Sequence, residues 1–209
     1  MNITILGATG WIGGHIMSQA KENGHNVTAV VRDAGKVTDG TAVKEFDLHS
    51  QSDIAEVLVG ADVVIASVGG RAAGNHEIVS RTAERLLAAL SGTNTRLLWV
   101  GGAGSLEVSP GVTLVSSPDF PAEYKDEALA QGEALKVFRS TSTATPWTFV
   151  SPAAVIYPGK SEGAYRIGGD AFFTNEQGES KISVTDYAIA MLDEAQNTAH
   201  VNQRISVAY

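Results

Sequence analysis

Short apolar runs alternate with segments of helical periodicity along the first half of the chain. The runs are rich in Val, Ile and Leu and are bounded by Gly or polar residues, which is typical of buried β-strands. They predict five strands, at Asn2–Leu6, Asn26–Val31, Ala42–Phe46, Ala61–Ala66 and Arg96–Val100. The segments between them predict three helices, at Trp11–Asn23, Ser52–Val59 and Asn75–Leu90. We expect Gly24 to end the first helix in the left-handed conformation and Ser50 or Ser52 to cap the second.

The alternation becomes irregular in the second half. Helices are predicted at Ala122–Ser140 and Val184–Ala195, the latter capped by Thr185 or Asp186, and strands at Trp147–Val150 and Arg204–Val207. Two long loops rich in Pro and Gly separate these elements, at about residues 103–121 and 151–180. Within the second loop, small strands are predicted at Tyr165–Ile167 and Ala171–Thr174.

Strands that are apolar throughout and separated by helices indicate a parallel sheet covered on both faces. Right-handed crossovers then give a doubly wound α/β fold, for which we expect the strand order 3-2-1-4-5-6-7. Residues 1–209 are predicted to form a single domain with a small substrate-loop region towards its C-terminal end. Ligands of such sheets bind at the carboxyl ends of the strands, so the two long loops are the expected walls of a substrate pocket.

Composition narrows the classes of function. Of the 209 residues, 44% are hydrophobic and 18% are charged, which indicates a folded chain rather than a disordered one. The net charge of −8 argues against binding to a phosphate backbone, so no nucleic-acid partner is expected. The chain has no cysteine, which excludes thiol nucleophiles, disulfides and iron–sulfur centres. It has no basic leader and no apolar run of the roughly 20 residues that a membrane span needs, so we expect a cytoplasmic protein without a membrane partner.

A glycine-rich loop lies between the first strand and the first helix. It has the pattern G-x-x-G-x-x-G, in which the first glycine permits a sharp turn, the second admits a pyrophosphate and the third allows close packing of helix on strand. Backbone N–H groups of Gly10, Trp11 and Ile12 at the positive end of the helix are expected to bind the phosphates. The residues predicted to bind cofactor here are Gly7, Thr9, Gly10, Trp11, Ile12 and Gly13. The alternative is a tight strand–helix turn that binds no ligand.

The ends of strands two and three are expected to contact the adenosine half of a dinucleotide. Arg32, which follows strand two, suits the 2′-phosphate of NADP, whereas an acidic residue there would favour NAD. We therefore predict NADP, with NAD as the alternative, and Lys36 as a helper. Asp47 and Leu48, after strand three, are expected beside the adenine. The alternatives are solvated loop charges at Arg32 and Lys36, with Asp33 capping a turn, and a helix-preceding role for Asp47.

The ends of strands four and six are expected to contact the nicotinamide half. After strand four, Ser67, Val68 and Gly69 offer backbone groups close to the ribose and nicotinamide, although Gly69 and Gly70 could simply form a flexible loop. After strand six, small residues would admit a planar ring or serve as ordinary packing; they are Pro152, Ala153 and Ala154.

Several segments together resemble the atypical short-chain dehydrogenase/reductase superfamily, in its NADH-flavin reductase branch. They are GATGWIGGHI, VVRD after strand two, DL after strand three, WVGGAGSLEV, WTFVSPAAVIYPG and GAYRIGGD. The resemblance, which covers nearly the whole chain, extends to flavin/biliverdin reductases and nitrogen-regulator-like NADP-binding proteins. It implies a Rossmann fold, NAD(P) binding and hydride transfer to a flat conjugated acceptor, with FMN or FAD as a substrate.

The chain departs from that superfamily in its acid–base residues. The usual Tyr-x-x-x-Lys pair, in which the ammonium lowers the phenol pKa, is absent because Tyr124 is followed by Lys125 and has Ala128 at the fourth position. Alcohol–ketone chemistry and sugar epimerisation therefore lose their machinery, whereas flavin reduction can take its proton from solvent. The resembling flavin/biliverdin reductases use a serine after strand five, which Ser105 matches. They also use a histidine after strand six, which this chain lacks, so biliverdin-type reduction is not expected.

Candidate catalytic residues are accordingly few. Ser105 could hydrogen-bond the acceptor or the carboxamide, or it could be a loop hydroxyl. Tyr124 and Lys125 begin a helix near the place of the superfamily's acid, and their alternative is a solvated helix start. Tyr157 and Tyr165 could stack on a flavin ring, or they could belong to the core. The five histidines are scattered, so no metal site is predicted.

Two functions follow from these observations. The first is an NAD(P)H-dependent oxidoreductase with a flavin-like or quinone-like small-molecule acceptor. The second is a non-catalytic NADP(H)-binding redox sensor that acts through a protein partner, which the missing Tyr–Lys pair favours. For either, we expect a monomer or a small homo-oligomer.

Overall fold

The computed structural model describes residues 1–209, the whole chain. Its strands are β1 (Asn2–Leu6), β2 (Asn26–Val31), β3 (Ala42–Glu45), β4 (Val63–Ala66), β5 (Arg96–Val100), β6 (Glu107–Ser109), β7 (Val112–Thr113), β8 (Trp147–Pro152), β9 (Val155–Tyr157), β10 (Arg166–Gly168), β11 (Lys181–Ser183) and β12 (Gln203–Ala208). Its helices are α1 (Trp11–Glu22), α2 (Ala55–Leu58), α3 (Glu77–Leu90), α4 (Ala122–Ser140) and α5 (Val184–Asn197). None of these helices is both long and apolar enough to span a bilayer.

The main sheet has eight strands in the order β10-β12-β8-β5-β4-β1-β2-β3. Seven of them are parallel and follow the predicted order 3-2-1-4-5-6-7, which confirms the doubly wound α/β fold. The eighth, β10, pairs antiparallel with β12 at the edge. Because the strands are parallel, the loops that follow β1, β2, β4, β5 and β8 all leave from one end of the sheet.

Two hydrophobic clusters cover the two faces of the sheet. On one face, α1 and α5 pack through residues such as Ile16 and Tyr187. On the other face, α2, α3 and α4 pack through residues such as Leu86 and Phe138. Five apolar residues of α3 form a stripe on one side of the helix, and all five are buried: Ile78, Ala83, Leu86, Leu87 and Leu90.

Helix starts were harder to predict than helix positions. The predicted helix 52–59 is a single turn, α2, and Asp53 accepts the Ala55 N–H, so Ser50 and Ser52 were the wrong caps. The cap of α5 is Ser183, whose hydroxyl accepts the Asp186 N–H at 3.0 Å, and not Thr185 or Asp186. In contrast, Gly24 has the expected positive φ of 74° directly after the first helix.

The long loops contain more structure than their composition predicted. Residues 103–121 include the β6–β7 hairpin, and residues 151–180 include β9, which pairs with β11 in a separate two-stranded sheet. The strand predicted at Ala171–Thr174 was wrong: Ala171 forms only an isolated bridge with Glu107. That bridge joins the two loops to each other.

Candidate dinucleotide site

The glycine-rich loop turns sharply between β1 and α1 and is tightly packed at two of its glycines. Gly7 has a positive φ of 76°, and a Cβ on it would stand 2.0 Å from the Ser67 carbonyl oxygen at the end of β4. A Cβ on Gly13 would stand 2.2 Å from the Gly7 carbonyl oxygen. Real Cβ atoms do not approach so closely, so the turn at Gly7 and the contact of α1 with the loop both require glycine.

Three consecutive N–H groups at the start of α1 donate to no protein acceptor; they belong to Trp11, Ile12 and Gly13. The prediction was wrong for the N–H of Gly10, which donates to the Gly7 carbonyl oxygen at 2.9 Å. No side chain caps this end of the helix and no acidic residue lies in its first turn. The exposed Thr9 hydroxyl also has no partner in the protein. This set of free donors at the positive end of a helix fits a pyrophosphate.

The side chains that follow β2 differ in how they are engaged. Asp33 accepts the Gly35 N–H at 3.0 Å and so caps a short 3-10 helix. This agrees with the alternative given above, in which Asp33 caps a turn. Arg32 and Lys36 are exposed, and neither forms an ion pair or a side-chain hydrogen bond within the chain. The Glu45 carboxylate at the end of β3 likewise accepts the Ala34 N–H at 2.9 Å. Both carboxylates beside this loop are therefore engaged by its backbone, while the free charges are positive.

Asp47 and Leu48 lie shortly after β3, the strand at the edge of the main sheet. The Asp47 carboxylate accepts the His49 N–H at 3.0 Å, a local turn that leaves its other oxygen without a partner. Leu48 is half-buried against the second hydrophobic cluster, and its carbonyl accepts from Arg85 at 2.9 Å. Asp47 is exposed, so it remains available to a ligand that extends across β2 towards β3.

A side chain of α4 holds the loop that follows β4. The Ser67 N–H continues the sheet by donating to the Leu6 carbonyl at 2.9 Å, and the Val68 carbonyl accepts from Gln131 at 2.9 Å. Gly69 is exposed, and a Cβ on it would stand 3.1 Å from a carboxylate oxygen of Glu127. Ser67 therefore lies against the glycine-rich loop, with Val68 and Gly69 directly after it, and their contact with a ribose or nicotinamide stays a prediction. Glu127 and Gln131, which hold this loop, carry no signal in the sequence.

The end of β8 is less open than its small residues suggested. Pro152 and Ala153 are buried, Pro152 within the strand and Ala153 within the first hydrophobic cluster. Ala154 is exposed, and its N–H donates to the Ser180 hydroxyl at 3.2 Å. Of these three predicted residues, only Ala154 presents its side chain to solvent at this end of the sheet.

The predicted catalytic residues do not form a cluster. The Ser105 hydroxyl lies 3.5 Å from a guanidinium nitrogen of the buried Arg204, which also contacts the Ser151 hydroxyl at 3.4 Å. Tyr124 is exposed, and the Arg71 guanidinium stands 4.7 Å above its ring centre. Lys125 is exposed and forms no ion pair. Ser105 thus faces Arg204, whereas Tyr124 and Lys125 lie on the exposed first turns of α4.

Arg204 ties the two long loops into one wall. Its Nε donates to Asp170 at 2.6 Å, and its other nitrogens reach the carbonyls of Ser105 and Asp170. The backbone adds Glu107 N–H to the Asp170 carbonyl at 2.8 Å. Burial raises the pKa of Asp170, but hydrogen bonds and charges from Arg204 and Arg139 outweigh it, so the pKa lies below its usual range. The members of this cluster lie far apart in the chain, so no spacing in the sequence indicates it.

The two tyrosines considered for stacking are engaged within the protein. Tyr157 donates its hydroxyl to Glu162, and Tyr165 donates to Asp193 at 2.5 Å while its ring packs on the first hydrophobic cluster. Burial, together with these carboxylates, raises the pKa of both phenols well above the usual range. Neither phenol is therefore suited to release a proton near neutral pH.

Comparison with known proteins agrees with this geometry. A model of a family described as NAD(P)H-binding matches residues 7–195. The chain belongs to this NAD(P)H-binding family. The uncharacterized protein YwnB of Bacillus subtilis is 42% identical over 212 residues, which cover 99% of this chain and 98% of YwnB.

Solved structures show the same fold over the whole chain. A "putative NADH-flavin reductase" from Streptococcus pneumoniae is 37% identical with a TM-score of 0.91, covering 100% of this chain and 99% of that one. A "putative epimerase" from Bacteroides thetaiotaomicron is 35% identical with a TM-score of 0.88, covering 100% and 96%. The resemblance found in the sequence is thereby confirmed, and the two names differ in the reaction they suggest.

Proposed function

We propose that this protein is an NAD(P)H-dependent oxidoreductase that transfers hydride to a flat, conjugated small-molecule acceptor such as a flavin or a quinone. The observation that supports it most is the row of three free N–H groups in front of the tightly packed glycine-rich loop. When bound there, the dinucleotide would supply a hydride donor at its nicotinamide ring. The family match and the similarity to the Streptococcus pneumoniae protein support the same assignment.

The proposed cofactor is NADP(H), with NAD(H) as the alternative. The Trp11, Ile12 and Gly13 N–H groups would hold the pyrophosphate, and Arg32 would pair with the 2′-phosphate of the adenosine ribose. Arg32 is free to do so because no carboxylate in the chain pairs with it, while Asp33 is occupied by its cap. Asp47 would accept a hydrogen bond from the adenine amino group.

The residues around the acceptor end favour flavin-type reduction over epimerisation. Epimerisation requires a group that removes a proton and returns it, for which the superfamily's Tyr–Lys pair would serve. Here Ala128 occupies the position of that lysine. Its Cβ packs against Gly104, because a Cβ added to Gly104 would stand only 2.6 Å from the Ala128 Cβ. Tyr124 lies under Arg71. Hydride transfer to a flavin needs neither group, because the residues only have to orient the two rings and exclude water.

Reduction of FMN by NADPH tests this proposal. We expect anaerobic mixing of protein, NADPH and FMN to give saturable loss of reduced-nicotinamide absorbance on the order of 1 s⁻¹ or faster. An additional mixture with a soluble quinone covers the second acceptor class. A protein that binds NADPH but oxidises it with neither acceptor would contradict the reductase proposal.

The second candidate is a redox sensor, and the engagement of Ser105, Tyr124 and both loop tyrosines within the protein favours it. A sensor would bind NADPH and NADP⁺ with different affinities, would not turn over, and would retain a partner protein in one redox state only. Turnover with either acceptor would contradict it.

A further inference from the structure

A continuous set of hydrogen bonds runs from the buried core to the loop after β4. The indole N–H of Trp99, in the middle of the sheet, donates to the Gln131 side-chain oxygen at 2.9 Å. The Gln131 amide in turn donates to the Val68 carbonyl at 2.9 Å and to a Glu127 carboxylate oxygen at 3.2 Å. Both Trp99 and Gln131 are buried, so these bonds are shielded from water and fix the orientation of Gln131.

Glu127 is the last member of this set and contacts the loop directly. One of its carboxylate oxygens accepts the N–H groups of Gly70 at 3.0 Å and Arg71 at 2.9 Å. The His76 ring nitrogen Nδ1 lies 3.3 Å from the same oxygen. Hydrogen bonds from backbone N–H groups to a carboxylate are stronger than neutral ones, so Glu127 ties the backbone of Gly70 and Arg71 to α4.

The position of this loop matters because it borders the glycine-rich loop. The Ser67 carbonyl is packed against Gly7, and residues 68–70 follow at the carboxyl end of β4, next to β1. Gly70 has no room for a side chain, since a Cβ there would stand 2.4 Å from the Asn75 carbonyl oxygen. The loop is thus confined on two sides. The free N–H groups at the start of α1 belong to the segment that follows Gly7 in the chain.

We propose that Glu127, oriented by Gln131, is a positioning residue that holds loop 68–71 against the nicotinamide half of a bound dinucleotide. The inference rests on the proposed function for the presence of the dinucleotide, but not for its turnover. Glu127 should therefore affect the nicotinamide half of the ligand and leave the rest unaffected, because the pyrophosphate contacts would come from α1 and the adenosine contacts from the ends of β2 and β3.

The test compares NADPH with its 2′-phospho-ADP fragment, which keeps the adenosine half and the pyrophosphate but lacks the second ribose and the nicotinamide. NADPH and this fragment are titrated into wild type, Glu127→Ala, Glu127→Gln and the control Glu133→Ala, whose side chain is exposed on the same helix. We expect Glu127→Ala to weaken NADPH binding about tenfold and to leave fragment binding within about twofold, since two backbone donors and Gln131 lose their acceptor. Glu127→Gln should fall between wild type and Ala, because one amide oxygen can still accept.

Fluorescence of the bound reduced nicotinamide gives a second readout that does not depend on activity. We expect its enhancement in wild type and Glu133→Ala, and its reduction in Glu127→Ala even at saturating NADPH. Equal weakening of NADPH binding and fragment binding in Glu127→Ala, or no weakening of either, would overturn the inference. If Glu127→Ala does not fold, the affinities of Glu127→Gln for the two ligands are judged by the same criterion. Wild type that binds both ligands without oxidising NADPH would contradict only the reductase proposal, whereas wild type that binds neither would contradict both.

Discussion

A methyl group on Gly13 would stand 2.2 Å from the carbonyl oxygen of Gly7, so these two glycines set the distance between α1 and the end of β1. The contact is with backbone, which cannot move without displacing the helix. The neighbouring Gly14 differs, because a Cβ there would stand 3.5 Å from the Ala8 carbonyl, an ordinary contact. The pair Gly13 and Gly14 thus separates the effect of close packing from the general effect of glycine in a helix.

We therefore expect Gly13→Ala to lower the free energy of unfolding by about 1–3 kcal/mol, the usual cost of overpacking. Gly14→Ala should raise it by up to about 1 kcal/mol, because alanine is the better helix former. Urea unfolding followed by circular dichroism measures both. Equal stability of the two variants would show that α1 does not depend on its close approach to the loop.

Arg32 supplies the second prediction, on cofactor preference. Arg32→Ala should weaken NADPH binding by about 1–2 kcal/mol, roughly tenfold, through loss of a charge-assisted contact with the 2′-phosphate, and should leave NADH binding unchanged. Arg81→Ala, which removes an exposed arginine on α3, is the matched control. The measurement is the affinity of wild type, Arg32→Ala and Arg81→Ala for NADPH and for NADH. A parallel change for NADPH and NADH would refute the role of Arg32.

The third prediction concerns the wall formed by the two long loops. Asp170→Asn leaves the buried Arg204 guanidinium without its carboxylate partner, and we expect a loss of about 2–3 kcal/mol in stability. The value lies below that for a fully buried pair because the Asp170 side chain is 48% exposed. Arg139→Ala removes the exposed partner of the same carboxylate and should cost less than about 1 kcal/mol. Chemical unfolding of both variants measures the two losses of stability. A larger loss in Arg139→Ala than in Asp170→Asn would contradict this account of Arg204.

Glu194 supplies a prediction of pH dependence. Burial raises its pKa, but bonds from His200 and from the buried Arg96 outweigh that effect, and the pKa in the folded protein lies below the ordinary 4.5. The unfolded chain therefore binds a proton more readily, so the stability that Glu194 contributes is present above about pH 4.5 and is lost as the pH falls further.

The measurement is the free energy of unfolding between neutral pH and about pH 3. We expect Glu194→Gln to be less stable than wild type by about 3 kcal/mol at neutral pH, because Arg96 loses its partner, and the gap to narrow below pH 4.5. Glu84→Gln, an exposed substitution on α3, should run parallel to wild type throughout. A constant gap between Glu194→Gln and wild type would show that this carboxylate does not titrate differently on folding.

The sequence predicted the sheet well because the relevant signals are local. A buried parallel strand is apolar over its own length, and the glycine-rich loop lies within seven consecutive residues between β1 and α1. Right-handed crossovers then place helices on both faces of the sheet. Caps were less predictable, since Ser183, Thr185 and Asp186 are all residue types that cap helices, and only the observed path of the chain into α5 distinguishes them.

The side chains behind the site could not be predicted in the same way. Arg204 reaches Ser105 across 99 residues, and Gln131 reaches Val68 across 63, so no spacing in the sequence indicates either contact. Glu127 and Gln131 lie four residues apart, a common pattern on exposed helices, and only the fold reveals that they face a loop. Ser105 was expected to face a ligand because of the strand that it follows, but its hydroxyl faces Arg204.

Calorimetric titration of NADPH into wild type and Gly10→Leu tests the central claim most directly. Gly10 is exposed and has an extended backbone that leucine can adopt. A Cβ there would stand 3.2 Å from the Gly7 carbonyl oxygen, a tight contact that requires a shift of a few tenths of an ångström, and the leucine side chain would obstruct the three free N–H groups. We predict one saturable site per chain in wild type and binding weakened at least about tenfold, or about 1.4 kcal/mol, in the variant. Absence of heat with NADPH and NADH in wild type, or undiminished affinity in Gly10→Leu, would contradict the assignment of this loop as the dinucleotide site.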